Sequence, residues 1–192
     1  MKKKLHIILA TVLLSSSILA QTTWNIDKVH SKIGFSVVHM VVSETEGVFK
    51  DYTATVVSKS DDFNGAEVSF SAKVASINTD NERRDGHLKS ADFFDAEKFP
   101  EITFKGNLVK EGSKYKLKGD FTMKGVTKKV EFDVVYGGTV NTGRGIKAGF
   151  KVTGTINRQE YGVSWANKLA GGEMVVSDDV TLVIKVELDK QA

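Results

Sequence analysis

Eight segments of this chain alternate apolar and polar residues with period two, and almost nothing between them could form an amphipathic helix. The segment nearest the C-terminus shows the pattern most plainly, because Val180, Leu182, Ile184, Val186 and Leu188 share one phase. Successive side chains of a strand point to opposite faces, so each segment predicts a strand with one apolar face. Without helices to cover these faces, the strands must cover one another.

The other seven segments carry the same alternation. They are Ile33/Phe35/Val37, Tyr52/Ala54/Val56, Val68/Phe70/Ala72/Val74, Ile102/Phe104, Leu117/Phe121/Met123, Val130/Phe132/Val134/Tyr136 and Ile146/Ala148/Phe150/Val152. A sheet with this many one-sided strands closes into a barrel or doubles into a sandwich. We therefore predict an all-β fold, with an antiparallel barrel of about eight strands whose interior side chains fill or a small ligand occupies.

Residues 80–100 break the alternation. They begin with acidic and helix-capping residues, which predicts one short helix or turn inside a long loop. Phe93 and Phe94 follow, and then Pro100, the chain's single proline, marks the boundary before a strand starting near Glu101. In a barrel, the two adjacent rings would lie at one mouth, as a plug or as the lip of an opening.

The first 20 residues have the three parts of a secretory signal peptide: lysines at positions 2–4, an apolar run over 5–14, and the small residue Ala20 at the expected cleavage point. A membrane anchor is the alternative, but the run is shorter than the roughly 20 residues of a spanning helix. No cysteine is available for a lipid anchor or for thiol chemistry. We expect one domain, residues 21–192, periplasmic or secreted, without stable membrane insertion.

Charge gives no evidence for a polyanionic partner. Removing the three signal-peptide lysines reduces the 27 basic residues to 24, which equals the 24 acidic residues. A neutral mature chain offers no argument for nucleic-acid binding, and we expect none.

Four blocks of residues carry family motifs in chain order. They are W-x-x-D-x-x-H-S-x-x-x-F-x-V-x-H over 24–39, R-D-x-H-L-x-x-x-x-F-F-D over 84–95, a G-V-T-K hairpin within 119–128, and N-R-x-x-Y-G over 157–162. Together they resemble the YceI-like family of exported lipid-binding proteins, and the likeness extends from about Trp24 to Leu188.

This resemblance implies an extended, lipocalin-like barrel with an elongated apolar channel that holds a polyisoprenoid, an isoprenoid quinone or a similar amphiphile. Such a channel binds through apolar area removed from water, worth about 25 cal/mol per Å². The inward phase supplies the candidate ligand-binding residues, each of which could instead pack in a dry core. They are Phe35, Val37, Phe70, Phe104, Phe121, Phe132, Phe150 and Ile184, with Phe93 and Phe94 at the mouth.

Polar residues near the channel form a second candidate set. His39 shares the face of Phe35 and Val37, so it should lie inside or at a rim and needs a hydrogen-bond partner. It is either a structural histidine or a contact to a ligand head group. A buried arginine and aspartate pair usually fixes loops, because an unpaired charge there is costly. The other candidates for loop fixing or head-group contact are Asp27, His30, Arg84, Asp85, His87 and Arg158.

Three functions remain open from sequence: a carrier or store of lipid in the cell envelope, a structural or stress-related envelope protein with a filled barrel, and a hydrolase. The chain has no H-x-x-x-H pair on one helix, no G-x-S-x-G and no cysteine. We therefore expect no enzyme, no catalytic residue, no metal and no cofactor beyond a bound lipid. Val38, Met40 and Val42 would suit a homodimer, since they are apolar on the phase opposite Phe35.

Overall fold

The computed structural model describes residues 21–192. The predicted signal peptide, residues 1–20, lies outside the described residues. Within the described chain there are eleven strands and one α-helix: β1 (Thr22–Ile26), β2 (Lys32–His39), β3 (Ser43–Phe49), β4 (Tyr52–Ser58), β5 (Glu67–Lys73), β6 (Ile77–Asn78), α1 (Glu82–Lys89), β7 (Glu101–Glu111), β8 (Lys114–Met123), β9 (Val126–Asn141), β10 (Ile146–Asn157) and β11 (Val176–Lys190).

Eight of these strands close an antiparallel barrel. Strands β4, β5, β7, β8, β9, β10 and β11 pair in that order, and β1 pairs with both β4 and β11, so the sheet returns on itself. The predicted all-β barrel with one short helix is confirmed.

Strands β2, β3 and β6 lengthen the barrel at one end. The first half of β11 pairs with β2, β2 pairs with β3, and β3 pairs with β6. Three pairs of consecutive strands therefore each occupy one place in the wall, with a short bend between the two members. These pairs are β1 with β2, β3 with β4, and β5 with β6. The elongation that the family resemblance implies comes from these three pairs.

The wall is interrupted between β6 and β7. Strand β5 pairs with β7, but β6 pairs with β3 and, among the described strands, not with β7. The chain between them contains α1 and rejoins the sheet at Pro100, whose carbonyl accepts a hydrogen bond from the Val74 amide. Val74 itself lies in a 3₁₀ turn rather than in the strand that the alternation predicts. The long connection covers the barrel where two wall strands diverge.

The opposite end of the barrel is closed by Phe63. This residue is 1% exposed and adopts a positive φ of 59° in the loop before β5. Its ring lies 5.0 Å from Trp24, 5.1 Å from Phe150 and 5.6 Å from Tyr136, centroid to centroid. These aromatic contacts plug that end. None of the helices in residues 21–192 has both the length and the apolar character needed to cross a bilayer.

Candidate functional site

An apolar cavity of about 100 Å³ lies inside the barrel at the end that β2 extends. Its wall comes from β2, β3, β5, β7, β8, β10 and β11, from the segment that follows β10, and from the connection that contains α1. Nearly every lining side chain is aliphatic or aromatic. Six of the predicted ligand residues line it: Phe35, Val37, Phe93, Phe94, Phe121 and Ile184.

The remaining predicted ligand residues lie elsewhere in the interior. Phe150 lines a second apolar cavity of about 60 Å³ toward the plugged end. Phe70, Phe104 and Phe132 occupy inward positions, but they line neither cavity, because their rings fill the barrel between the two. Phe70, Phe104 and Phe132 therefore take the dry-core alternative, and the two cavities share no lining residue among the described residues.

Arg158 is the one charged residue in the described wall of the first cavity, and it is 4% exposed. Burial lowers the pKa of its guanidinium, and the Asp178 carboxylate opposes that shift. All five N–H groups have acceptors within the chain at 2.7–3.2 Å: the backbone carbonyls of Val163, Trp165, Val176 and Ser177 and the Asp178 carboxylate.

These contacts decide which of its predicted roles Arg158 can fill. Because each donor already has an acceptor, a ligand head group would have to displace an existing hydrogen bond. The guanidinium holds the segment 163–178, which leads from the turn after β10 into the first residues of β11. Arg158 is therefore a loop-fixing residue whose hydrocarbon stem faces the cavity.

The connection that contains α1 is fixed at its start by Thr79. The buried Asp85 carboxylate accepts hydrogen bonds from the Thr79 amide at 2.9 Å and from its hydroxyl at 2.5 Å. The Arg84 guanidinium donates to the Thr79 hydroxyl at 2.8 Å and to its carbonyl at 2.7 Å. The Asn81 side chain caps the helix by accepting from the Arg84 amide at 3.0 Å.

Arg84 and Asp85 are adjacent in α1 and do not pair with each other. Adjacent residues on a helix point in different directions, so the two side chains cannot face each other. Asp85 is 6% exposed and points inward, whereas Arg84 is exposed and reaches Thr79 from outside. Both residues still fix the loop, but through a shared third residue.

Three aromatic rings, which we call the aromatic latch, hold the other end of this connection. Phe93 stacks on Trp165 with centroids 5.3 Å apart, and the His87 ring stands edge-on to Phe93 at 4.9 Å and to Trp165 at 5.8 Å. His87 Nε2 lies 3.2 Å from a carboxylate oxygen of Asp92. The latch joins the connection to the segment that Arg158 holds.

Asp27 and His30 belong to a charged cluster away from the cavity. One Asp27 oxygen lies 2.8 Å from both His30 Nδ1 and Lys147 Nζ. Lys147 Nζ also lies 2.8 Å from Glu187 and from Asp189. Hydrogen bonds from His30 and Lys147 hold the pKa of Asp27 well below its usual range, and the Asp27 hydrogen bond raises the pKa of His30. The three carboxylates raise the pKa of Lys147.

This cluster fixes the bend between β1 and β2 on the outer face of the barrel. Lys147 and Glu187 lie on the outward phase, since their neighbours Ala148 and Leu188 are buried. Asp27, His30 and Glu187 have potential metal-ligand atoms within 4.8 Å of one another. The Lys147 ammonium lies against the carboxylates and already neutralises charge there, so the arrangement is a salt-bridge network. Neither Asp27 nor His30 is among the residues that line the first cavity.

His39 lies half-buried at the end of β2. Its ring makes no hydrogen bond to another described side chain or backbone group. No buried polar side-chain atom lacks a partner in the described chain, so the ring nitrogens of His39 are accessible to solvent. The sequence predicted a position inside or at a rim with a hydrogen-bond partner; the ring lies at the end of a strand, and none of the described residues supplies that partner.

A family model described as the YceI-like domain matches residues 24–188. The chain belongs to the YceI-like family. A UPF0312 protein from Staphylococcus aureus is 37% identical over 168 residues, which covers 86% of this chain and 96% of that protein.

Solved structures show the same YceI-like fold. The YceI protein of Campylobacter jejuni aligns with a TM-score of 0.70 at 32% identity, covering 87% of this chain and 97% of that one. A polyisoprenoid binding domain from Saccharophagus degradans aligns with a TM-score of 0.63 at 13% identity, covering 88% and 98%. The resemblance stated from sequence motifs is confirmed.

Two residues, one in the aromatic latch and one in the charged cluster, were not predicted from sequence. Trp165 lies in an irregular segment, where no periodicity indicates which way a side chain points. Lys147 stands 120 residues from Asp27, and only the pairing of β10 with β11 brings it beside Glu187. Trp165 follows the N-R-x-x-Y-G turn closely, and that proximity was the one available signal.

Proposed function

We propose that this YceI-like protein binds one elongated apolar ligand, a polyisoprenoid, an isoprenoid quinone or a similar amphiphile, in the first cavity. The observation that carries this proposal is an apolar cavity in which Arg158, the one charged wall residue within 21–192, directs its donors into the protein. Recognition then rests on shape and on apolar area removed from water. The description of the Saccharophagus degradans domain as polyisoprenoid binding supports the same ligand class.

The proposal includes a place and a role: carriage or storage of the lipid in the cell envelope, after removal of residues 1–20. It assigns no catalytic group. The signal-like N-terminus supports the export part of this proposal.

The size of the first cavity indicates that the wall must move. A cavity of about 100 Å³ is smaller than the roughly 150 Å³ that admits one benzene molecule. We propose that the segment 84–94 is the gate, because it covers the interruption between β6 and β7 and contributes Leu88, Phe93 and Phe94 to the cavity wall. Thr79 anchors one end of it and the aromatic latch the other.

Native mass spectrometry and organic extraction of the purified protein test the ligand. We expect one lipid per chain, or uptake of one added geranylgeraniol or short-chain quinone per chain. Tryptophan fluorescence should change on uptake through Trp165, and a Trp165→Phe variant, which retains only the distant Trp24, should show little change. A protein that is free of lipid and takes up none of these probes would refute the proposal.

A disulfide tests the gate, since the chain has no native cysteine. Cysteines are introduced in residues 87–93 and in the facing residues 163–167, at a pair with Cα atoms about 5–6 Å apart. The oxidised protein should exchange lipid much more slowly than the same protein after reduction, with the fold unchanged. Equal exchange rates in the two forms would mean that the ligand enters elsewhere.

A filled barrel with a structural role is the second candidate function. It is favoured by the phenylalanine rings that occupy the interior between two small cavities. The extraction experiment separates the two functions, because a filled barrel takes up no lipid of any length.

A further inference from the structure

The interior of this barrel is divided into two compartments. The first cavity is bounded on β5 by Ala72 and on β11 by Ile184, and the second by Val68 and Val186 on the same strands. The two sets of lining residues share no member within residues 21–192. On each of these strands, one cavity therefore ends and the other begins within two to four residues.

Three phenylalanines lie between the compartments, and we call them the phenylalanine layer. Phe70 is on β5, Phe104 is its partner in register on β7, and Phe132 is on β9. The rings of Phe104 and Phe132 are 6.5 Å apart, centroid to centroid. Phe104 is 3% and Phe132 is 4% exposed, so these two rings are packed on all sides.

Glycines on the neighbouring strands make room for these rings. A Cβ atom at Gly106 or at Gly119 would lie 2.8 Å from the tip of the Phe104 ring. A Cβ atom at Gly154 would lie 2.2 Å from the Phe132 ring. Contacts this short are not tolerated, so the rings occupy space that only glycine leaves free. Register places Gly106 directly opposite Gly119, which brings both against one ring.

We propose that the phenylalanine layer is the end-stop that sets the length of lipid the first compartment accepts. The inference rests on the proposed lipid-binding function and adds a specificity determinant to it. Longer lipid chains bury more apolar area in the first compartment, up to the length at which the end of the chain meets Phe104 and Phe132. Because the rings fit into a glycine-lined layer, they cannot move aside without displacing the sheet. Truncating a ring joins the two compartments and lengthens the accepted chain.

The size of the expected shift follows from the strand geometry. Ile184 and Leu188 line opposite compartments on β11 and are four residues apart. At a rise of about 3.3 Å per residue and a strand tilt near 40°, that separation is about 10 Å along the barrel axis, or about two isoprene units.

The test measures dissociation constants for a series of all-trans isoprenoid alcohols of increasing length. In the wild-type protein, affinity should rise with length, by about fourfold for each CH₂ buried, and then level off. In Phe104→Leu, the chain length at which affinity stops rising, which we call the levelling length, should be about two isoprene units longer. Phe132→Leu serves as a second variant from the same layer if Phe104→Leu does not fold.

Phe35→Leu and Phe150→Leu are matched controls on the two sides of the layer, and the aromatic partner of Phe35 in the first cavity is Phe49 rather than a ring of the layer. Each removes one ring from a cavity wall, and each should leave the levelling length unchanged even if affinity shifts. An unchanged levelling length in both layer variants, or a wild-type affinity that rises without limit, would overturn the end-stop while lipid binding stands. If no alcohol binds to any variant, lipid binding itself fails and the end-stop fails with it.

Discussion

Trp165 is fixed through both its side chain and its backbone. Its indole stacks on Phe93 with centroids 5.3 Å apart, and its backbone carbonyl accepts a hydrogen bond from Arg158 at 2.8 Å. A buried cation thus positions a loop, and the loop positions the ring that covers the proposed gate. The route from Arg158 to Phe93 passes through a single residue. Changes at either end of this route should have distinguishable effects.

Replacing Trp165 should weaken the cover while leaving the barrel intact. An aromatic pair contributes about 0.5–1.5 kcal/mol, so Trp165→Leu should accelerate lipid exchange by about threefold to tenfold. Stopped-flow exchange of a fluorescent fatty probe measures this rate. Trp165→Phe, which retains a ring for stacking, should stay near the wild-type rate, and equal rates for all three proteins would disprove the role of the latch.

Replacing Arg158 should instead affect stability. Arg158→Met removes five hydrogen bonds and leaves buried carbonyls unpaired, which should lower the free energy of unfolding by about 3–5 kcal/mol. Urea titration measures the loss, and hydrogen exchange should show it first in residues 163–178. Arg158→Lys should not restore stability, because an ammonium cannot reproduce the planar set of donors. Full stability of the lysine variant would contradict this assignment.

Removal of the two partners of Thr79 should lower the free energy of unfolding by different amounts. Asp85→Ala removes a buried carboxylate that accepts two hydrogen bonds, and we expect a loss of about 2–3 kcal/mol in urea titration. Arg84→Ala removes an exposed partner of the same threonine and should cost about 1 kcal/mol or less. A larger effect from Arg84→Ala than from Asp85→Ala would reverse the assigned roles.

The hairpin between β2 and β3 is strained at its tip. Met40 and Val41 adopt φ angles of 51° and 66°, a region that a β-branched side chain rarely occupies. Val41→Gly should therefore raise the free energy of unfolding by about 1 kcal/mol, in spite of the lost side chain, which is 64% exposed. Val42→Gly is the control, because Val42 is exposed but has no positive φ, and it should give no gain.

The charged cluster predicts a pH dependence. The folded pKa of His30 is raised by Asp27, so protonated His30 stabilises the fold at low pH, and this contribution is lost as pH rises through the raised value. Unfolding free energy should therefore fall as pH rises above about 6.5 and through the raised pKa of His30, and His30→Gln should reduce that slope. The opposite holds for Asp27, whose lowered pKa makes its contribution disappear only in acid. An unchanged slope in His30→Gln would remove His30 from the cluster's titration.

The sequence predicted most strands of the barrel wall but few of the side-chain contacts between them. Period-two alternation locates strands such as β9 and β10, because each strand has one buried face. That Phe132 would meet Gly154 depends on register and twist, which alternation does not encode. The aromatic latch could not be predicted for another reason. Trp165 lies in an irregular segment, and its orientation is fixed by Arg158 rather than by any sequence periodicity.

The pairing between β1 and β11 also constrains how the protein folds during synthesis. Strand β11 pairs with β10, β2 and β1, and it is synthesised after all three of them. Until it emerges, β1, β2 and β10 present unpaired backbone edges, which are templates for association between chains. Closure of the cylinder is therefore a late, long-range step, and such steps are slow. A nascent or truncated chain lacking β11 should depend on a chaperone to stay monomeric.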